Sequence, residues 1–419
     1  MQARNNAPGP LSMILETPTT IVIGGGAAGF FGAIACAETH PHHKVILLEK
    51  TRSWLSKVRI SGGGRCNVTH ACFDPVLLVR NYPRGEKALR GPFSRFQPKD
   101  TIAWFESRGV RLKEEQDGRI FPSTDNSETI IQCLLQAAEK AGIELRQGCG
   151  VKAIEPTSNG FELSLSNGEQ WQANNLLLAT GSQPNGWQLA QKLGHTIEPP
   201  VPSLFTLNIP TSPLKDLAGI SVHGRIGVEG TPFANEGPIL ITHWGFSGPA
   251  VLKLSAWGAR HLHERDYQAE IWIEWCKPQL DQIKSIHSSK QIKNFGPTGL
   301  PKQLWQRLLL LEDIDEELRW GAMGKERMNK LTQRLKRDHY KMSGKTTYKQ
   351  EFVTCGGINL DEVDFRTMQS RLCPGLYFAG EILDIDGVTG GFNFQNAWTT
   401  SWIAGQSMGI APKESPASF

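Results

Sequence analysis

With 419 residues, of which 39% are hydrophobic and 21% charged, the chain has room for two or three domains with cores of their own and the make-up of a globular protein. No run approaches the ~18 apolar residues of a membrane span. The eight cysteines form no C-x-x-C pair, which argues against a zinc site or disulfide framework and for a reduced, cytoplasmic setting. The net charge of +4 is unevenly spread: residues 277–350 hold 16 Lys or Arg against 8 Asp or Glu, and between Arg319 and Lys349 the balance is 10 to 2. One segment therefore carries the whole positive excess.

Residues 1–18 lack the apolar core of a signal peptide and, with Asn5, Asn6, Pro8 and Pro10, read as a disordered tail in which Met13 is an alternative start. Thr20 to Ile23 then form a short β-branched run expected of a buried parallel strand, and an Ala-rich helical segment follows to about Thr39. Between them Gly24, Gly26 and Gly29 satisfy G-x-G-x-x-G: the first for a tight turn, the second for close approach of a pyrophosphate, the third for helix–strand packing. The diphosphate of a dinucleotide would lie on free N–H groups at the helix N-terminus. Lys44 to Leu48 read as a second buried strand, and Glu49 ends it 20 residues after Gly29, where a carboxylate accepts hydrogen bonds from ribose hydroxyls. A 2′-phosphate would be repelled there, so FAD or NAD fits better than NADP.

The next motif, Ser61-Gly62-Gly63-Gly64-Arg65-Cys66-Asn67, presents successive backbone N–H donors and one cation, and reads as a second cofactor-contacting loop. Residues 96–110 and 127–141 show helical apolar spacing, Cys149 to Ile154 reads as a strand, and residues 161–171 as a hairpin turning at Asn167-Gly168. Leu176 to Gly181 is another buried strand ending in small residues. From Gly194 the texture changes: prolines punctuate short strand-like pieces, Thr242 to Pro249 resembles a loop before a helix, and Ala269 to Trp275 is a last strand. Residues 277–344 are expected to be largely helical, with helices at 304–311, 314–320 and 325–338.

Near Glu351 the first texture returns. Gly375 to Glu381 is strand, turn and acid, followed by Asp384, Asp386 and Gly390-Gly391-Phe392-Asn393, with a helix expected over 395–404. A simple NAD enzyme needs no such distant second module, whereas a cofactor as long as FAD would use both. No second G-x-G-x-x-G follows a strand, so the extra NAD(P)H domain of two-dinucleotide reductases is not expected; a reductant, with NADH or NADPH as candidate transient donors, would bind in the flavin's own cleft or arrive by another route.

Together IVIGGGAAG, KVRISGGGRCNVT, GRIFPSTD, ATGS, THWGFSGPA, TCGGINLDEV and GLYFAGEILDIDGVTGGFNFQNAW resemble the YhiN/BaiN family of flavoproteins, also described as aminoacetone-oxidase-like, over nearly the whole chain after the tail. The resemblance implies an α/β fold: a Rossmann-like FAD-binding domain of glutathione-reductase type (19–194 and 351–412), interrupted by an inserted β-barrel (195–276, completed by 345–350) and a basic helical subdomain (277–344). It further implies that Gly24, Gly26, Ala28 and Gly29 hold the pyrophosphate, Glu49 and Lys50 the adenosine ribose, and Val151 the adenine through its backbone. Ser61 to Asn67 would line the flavin side, Ala179, Thr180 and Gly181 would close the cleft, and Gly380, Glu381, Asp384, Gly391, Phe392 and Asn393 would hold ribityl and flavin. One departure stands out: the family usually carries a longer Ser/Thr/Gly-rich loop after ATG, whereas here Gly181 runs straight to Trp187.

The family's activities include reduction of conjugated C=C bonds, oxidation of small amines and rRNA dihydrouridine synthesis. The leading expectation is flavin-mediated reduction of an electron-poor C=C bond, with hydride leaving flavin N5 and a side chain or water protonating the neighbouring carbon. Arg65 could stabilise a developing enolate. Cys66 or His243 could supply the proton, or be, respectively, a packing cysteine and a structurally bonded loop histidine. If the basic segment between Arg319 and Lys349 lies beside the cleft, the substrate could be a uracil in RNA held through phosphates. Peroxide-forming amine oxidation and a non-catalytic flavin-binding redox sensor or assembly factor are the competing readings.

Overall fold

The structure, a computed structural model, describes residues 17–346 and 353–409. Met13 and all but the last two residues of the expected tail, residues 347–350 of the basic segment, and residues 410–412 lie outside the described residues.

Seven strands form the main sheet: β1 (Thr19–Ile23), β2 (Lys44–Glu49), β3 (Glu144–Gln147), β4 (Asn175–Leu178), β5 (Val363–Asp364), β6 (Gln369–Ser370) and β7 (Leu376–Phe378). Their spatial order is β5-β6-β7-β4-β1-β2-β3, parallel from β7 to β3, with β5 and β6 as an antiparallel margin. β1 is buried at all of its positions, which is why its sequence is an unbroken apolar and β-branched run rather than an alternation. The late strand β7 pairs directly with β4, so residues two hundred apart share one sheet.

Two helices cross on one face of this sheet: α1 (Ala27–Thr39) and α2 (Phe392–Ser407). They touch backbone to backbone. A Cβ at Gly405 would lie 2.6 Å from the Ala35 Cβ and 2.6 Å from the Gly32 carbonyl oxygen, and one at Gly32 would lie 2.6 Å from Leu177. The expected helix over 395–404 therefore extends in both directions, beginning at the glycine pair Gly390-Gly391.

The chain leaves the main sheet through Ile197–Ser203 and returns through Val353–Ile358, and these two segments pair antiparallel. Beyond them lies a second, seven-stranded antiparallel sheet with its own core, which includes Phe246, Trp275, Trp305 and Trp320. Asp338–Ser343 is one of its strands, pairing with Gln268–Glu274, although these residues fell within the expected helical stretch. The pattern is strand-like: Asp338, Tyr340 and Met342 are buried while His339, Lys341 and Ser343 are exposed. The preceding helix stops at Lys336. Residues 314–319 are not helical either, because Asp313 adopts a left-handed φ of +51° and Ile292 N–H donates to the Leu318 carbonyl at 2.9 Å, so the backbone pairs sideways. A short strand, Gly245–Ser247, occupies the expected loop before helix Pro249–Trp257.

His195 fastens the outgoing chain to the sheet margin. Its side chain is fully buried, with Nδ1 3.1 Å from Glu362 Oε2 and Nε2 2.9 Å from Ser370 Oγ. The Ser370 oxygen already accepts from the N–H groups of Leu372 and Cys373, which directs its own hydrogen to Nε2 and favours a neutral ring donating from Nδ1.

Two predictions follow from this packing. Gly405→Val should destabilise the fold by about 1–3 kcal/mol, seen as a lower urea midpoint, whereas Gly91→Ala, on an exposed helical face with open space around it, should raise that midpoint. Burial also pushes the His195 pKa below its usual 6.5, against the pull of Glu362. Between the folded and unfolded values the unfolded chain binds more protons, so this contribution is full above 6.5 and is lost as pH falls. The drop in urea midpoint from about pH 7.5 to about pH 5.5 should be smaller in His195→Gln than in the parent.

Candidate functional site

The turn between β1 and α1 has almost no spare volume except at one point. Gly24 adopts φ +116°, its N–H donates to the Leu48 carbonyl at 2.8 Å, and a Cβ there would lie 2.5 Å from the Ala179 carbonyl oxygen. A Cβ at Gly29 would fall 1.8 Å from the Gly24 carbonyl oxygen, so helix and turn touch. At Gly26, the N-cap of α1, a Cβ would meet nothing within 4 Å. The first turn of α1 carries no acidic residue and no side-chain cap, leaving its N–H groups facing this opening.

Glu49 braces the turn. Its Oε2 accepts from Gly25 N–H at 2.7 Å and its Oε1 from Thr51 N–H at 2.8 Å, leaving each oxygen a second lone pair. Trp54 covers Gly25 from the other side. Lys50 runs along Gly150, with 3.3 Å between its Cγ and a Cβ placed there, and the Val151 carbonyl accepts from Asn185 Nδ2 at 3.1 Å. Asn185 belongs to helix Pro184–Lys192, which starts three residues after Gly181. The shortened loop of the sequence is thus a direct entry into a helix.

The SGGGRCN loop is a chain of unusual dihedrals. Ser61 is extended and its Oγ donates to the Val58 carbonyl at 2.9 Å; Gly62, Gly63 and Gly64 have φ of +58°, +68° and +83°, and Cys66 has +61°. Gly63 and Gly64 open onto empty space. Asn67, with its amide oriented to match its neighbours, donates to the Thr69 carbonyl at 2.9 Å and accepts from Gly391 N–H at 2.9 Å, tying this loop to the N-terminus of α2. Arg65 does not stand free: Glu115 lies 2.7 Å and Asp125 3.5 Å from its guanidinium, which also covers the Phe121 ring at 4.0 Å. The Glu115 hydrogen bond leads the causes that raise its pKa further. Its charge is therefore neutralised within residues 112–125. Cys66 is wholly buried, and burial pushes its thiol up to about 12, which makes it a packing group unsuited to giving a proton at neutral pH. His243 lies at the exposed turn between two strands of the second sheet, and among the described residues its ring makes no hydrogen bond.

The third wall comes from the end of the chain. Gly380, at φ +76°, presses on α1: a Cβ there would lie 2.9 Å from the Ala28 Cβ. Glu381 accepts from Lys57 Nζ at 2.6 Å through Oε2 and from Thr354 N–H at 3.1 Å through Oε1, and Lys57 also reaches Ser182 Oγ at 3.0 Å. Asp384, expected near ribityl, takes two hydrogen bonds from Arg260 at 2.9 and 2.8 Å and one from Gly356 N–H at 3.0 Å. Asp386 is buried against Arg84 and Ser203. Asn393 exchanges two hydrogen bonds with the Gly387 backbone, closing the loop before α2, and Phe392 stacks on His70 with ring centroids 4.7 Å apart. Beside them the buried Asn396 amide oxygen has no partner among the described residues.

The structure thus gathers three sequence motifs around the N-terminus of α1. Their opening suits an extended dinucleotide: an open cradle at Gly26, donors at the helix end and open space along Gly63-Gly64. Concavities of about 1020 Å³ and 720 Å³ elsewhere on the protein share no residue with these loops. Lys57, Asn185, His70, Arg84 and Arg260 were not singled out from the sequence. Lys57 opens the KVRISGGG motif and had a signal; the other four lie outside any pattern that spacing could reveal.

The family model of the HI0933-like protein Rossmann domain matches residues 18–407. The chain belongs to this family. Its members are FAD-dependent oxidoreductases, and this protein is an enzyme of that kind. A ribosomal RNA dihydrouridine synthase of Escherichia coli (strain K12) is 31% identical over 96% of this chain and 100% of its own. A 3-dehydro-bile acid delta(4,6)-reductase of Clostridium scindens is 28% identical over 93% of this chain and 99% of its own. Among solved structures, 3-ketosteroid delta1-dehydrogenase from Sterolibacterium denitrificans superposes with a TM-score of 0.50 at 12% identity, covering 94% of this chain and 99% of the other, a likeness of fold.

Gly26→Val should keep the urea midpoint of the FAD-stripped parent, since its side chain would enter open space, yet yield protein lacking the flavin absorbance of the parent preparation.

Proposed function

We propose that the protein is an FAD-dependent reductase of an electron-poor C=C bond and that its substrate is a uracil in ribosomal RNA. One observation carries the reading: the chain matches, over nearly its full length, two relatives whose names both describe saturation of a ring double bond. The relative named for ribosomal RNA shares the higher identity of the two.

In this reading Gly24, Ala28, Gly29 and the N–H groups after Gly26 would hold the diphosphate of FAD, and Glu49, Lys50 and Val151 its adenosine side. Ala179, Thr180 and Gly181 would close the middle of the cleft, and Ser61 to Asn67 would face Gly380 and Glu381 along the ribityl, next to the diphosphate, and Gly391 to Asn393 at the flavin end. When bound, FAD supplies the hydride-transfer chemistry that no side chain provides. The chain's own part is to hold and orient. Asn67 locks the glycine loop to α2, Arg65 anchors that loop to Glu115 and Asp125, and Asp384 with Arg260 fixes the second sheet beside the cleft.

We take residues 19–194 and 351–412 as the FAD-binding domain. The inserted β-barrel is residues 195–276 together with the strands after 337, and the helical subdomain is residues 277–336. The basic segment supports an RNA substrate. Arg334 pairs with Glu312 and Asp338, Lys330 with Glu326 and Arg337 with Glu229. Lys325, Arg327, Lys336 and Lys341 are exposed and have no carboxylate partner among the described residues, leaving cations for phosphates. A base within RNA must leave its stack to reach a flavin, so such phosphate contacts position the strand while the cleft takes the base.

Deleting the gene and mapping dihydrouridine across the ribosomal RNAs should remove at least one modified position, which the intact gene restores; an unchanged map overturns the RNA assignment.

A further inference from the structure

Lys57 occupies a position that no motif explains by itself. It lies in the short helical turn before the SGGGRCN loop, and its ammonium bridges two other cofactor-facing segments, Glu381 after β7 and Ser182 after β4. The place where these three segments meet is narrow. Oε2 of Glu381 would be 3.7 Å from a Cβ on Gly181; Thr180 backs onto Gly24; and Gly380, next to Glu381, presses on Ala28 in the first turn of α1. The Glu381 carboxylate is mostly enclosed, whereas half of the Lys57 side chain is exposed.

This arrangement poses an electrostatic problem for an anionic ligand. The N-terminus of α1 is suited to a diphosphate, and a carboxylate stands among the same few residues. Uncompensated, it would repel the ligand that the helix end attracts, because like charges within a Debye length in a partly enclosed site are weakly screened. Two neighbours contact the carboxylate oxygens: a backbone N–H from Thr354, which carries no net charge, and Lys57.

We propose that Lys57 is a positioning residue for the dinucleotide: by neutralising Glu381 it makes the mouth of the α1 cradle acceptable to a diphosphate, and by reaching Ser182 it holds the three cofactor-facing segments at one spacing. The proposal rests on the FAD reading above and adds to it a residue and a physical role. It makes Lys57 act through Glu381, so removing Lys57 should harm binding mainly while that carboxylate is charged.

The test is the rate of FAD release from purified holoenzyme, followed by the rise of free-flavin fluorescence after dilution. Lys57→Met should release FAD about tenfold faster or more, Lys57→Arg should stay within about threefold of the parent, and Lys57→Met combined with Glu381→Gln should release more slowly than Lys57→Met alone. ADP-ribose, which carries the diphosphate but no flavin, should bind FAD-stripped Lys57→Met more weakly than the stripped parent by a similar factor. Urea midpoints report on folding separately; if Lys57→Met does not accumulate, Lys57→Gln takes its place. Release from Lys57→Met at the parent's rate overturns the proposal, as does a double variant no slower than Lys57→Met. A parent protein that neither contains nor takes up FAD would instead overturn the FAD reading itself, whereas a parent that holds FAD indifferently to residue 57 removes only this inference.

Discussion

The close approach of α1 to everything around it is the constraint on which the rest of the structure depends. Gly29 lets the helix touch its own entry turn, Gly32 lets it lie on Leu177, Gly405 lets α2 cross it, and Gly380 lets the last strand end against Ala28. Each of these contacts is closer than a Cβ would allow. The helix therefore has one packed position, and its N-terminus points at one spot. Gly26 is the exception in this packing, the one glycine of the turn with open space beyond it.

A second set of contacts fastens the inserted sheet to this frame. Arg84 reaches Asp386 and the Ala256 carbonyl, Arg260 grips Asp384, and Ser203 donates to Asp386 at 2.7 Å. These groups sit where the outgoing and returning segments pair. Burial pushes Asp386 up in pKa while Arg84 and Ser203 pull it down, the balance expected of a carboxylate whose water has been replaced by a fixed cation and a hydroxyl. Such pairs add little net stability over apolar packing, but a mispositioned partner is costly, so they specify one orientation. The insertion is thus held beside the cleft by directional contacts as well as by the antiparallel pair that connects it.

What was legible in the sequence was whatever obeys a local rule. The glycines at 24, 26 and 29 each answer a backbone demand at a fixed spacing, and buried parallel strands show as unbroken apolar runs. The partners of side chains were not legible. Nothing near Arg65 announces its partners Glu115 and Asp125, and nothing near Asp384 announces Arg260, 124 residues away. Cys66 could be read from the sequence as a proton donor or a packing cysteine, and its full burial is a fact of three-dimensional packing. Asp338–Ser343 shows a different failure. Its alternation was present, but the neighbouring cations and the helix before it made the stretch look continuous.

The order in which the chain is made has a consequence for cofactor loading. β7 fills the place beside β4, and α2 covers α1, yet both come from the last tenth of the chain. Until residues 376–407 leave the ribosome, the main sheet has an open edge at Asn175–Leu178 and the cradle lacks its third wall. An unpaired parallel strand and an uncovered helix face attract other chains, so this is the interval in which the nascent protein is most exposed to misassociation. A cofactor held between the first helix and the last would consequently be captured late, and its binding would clasp the finished fold.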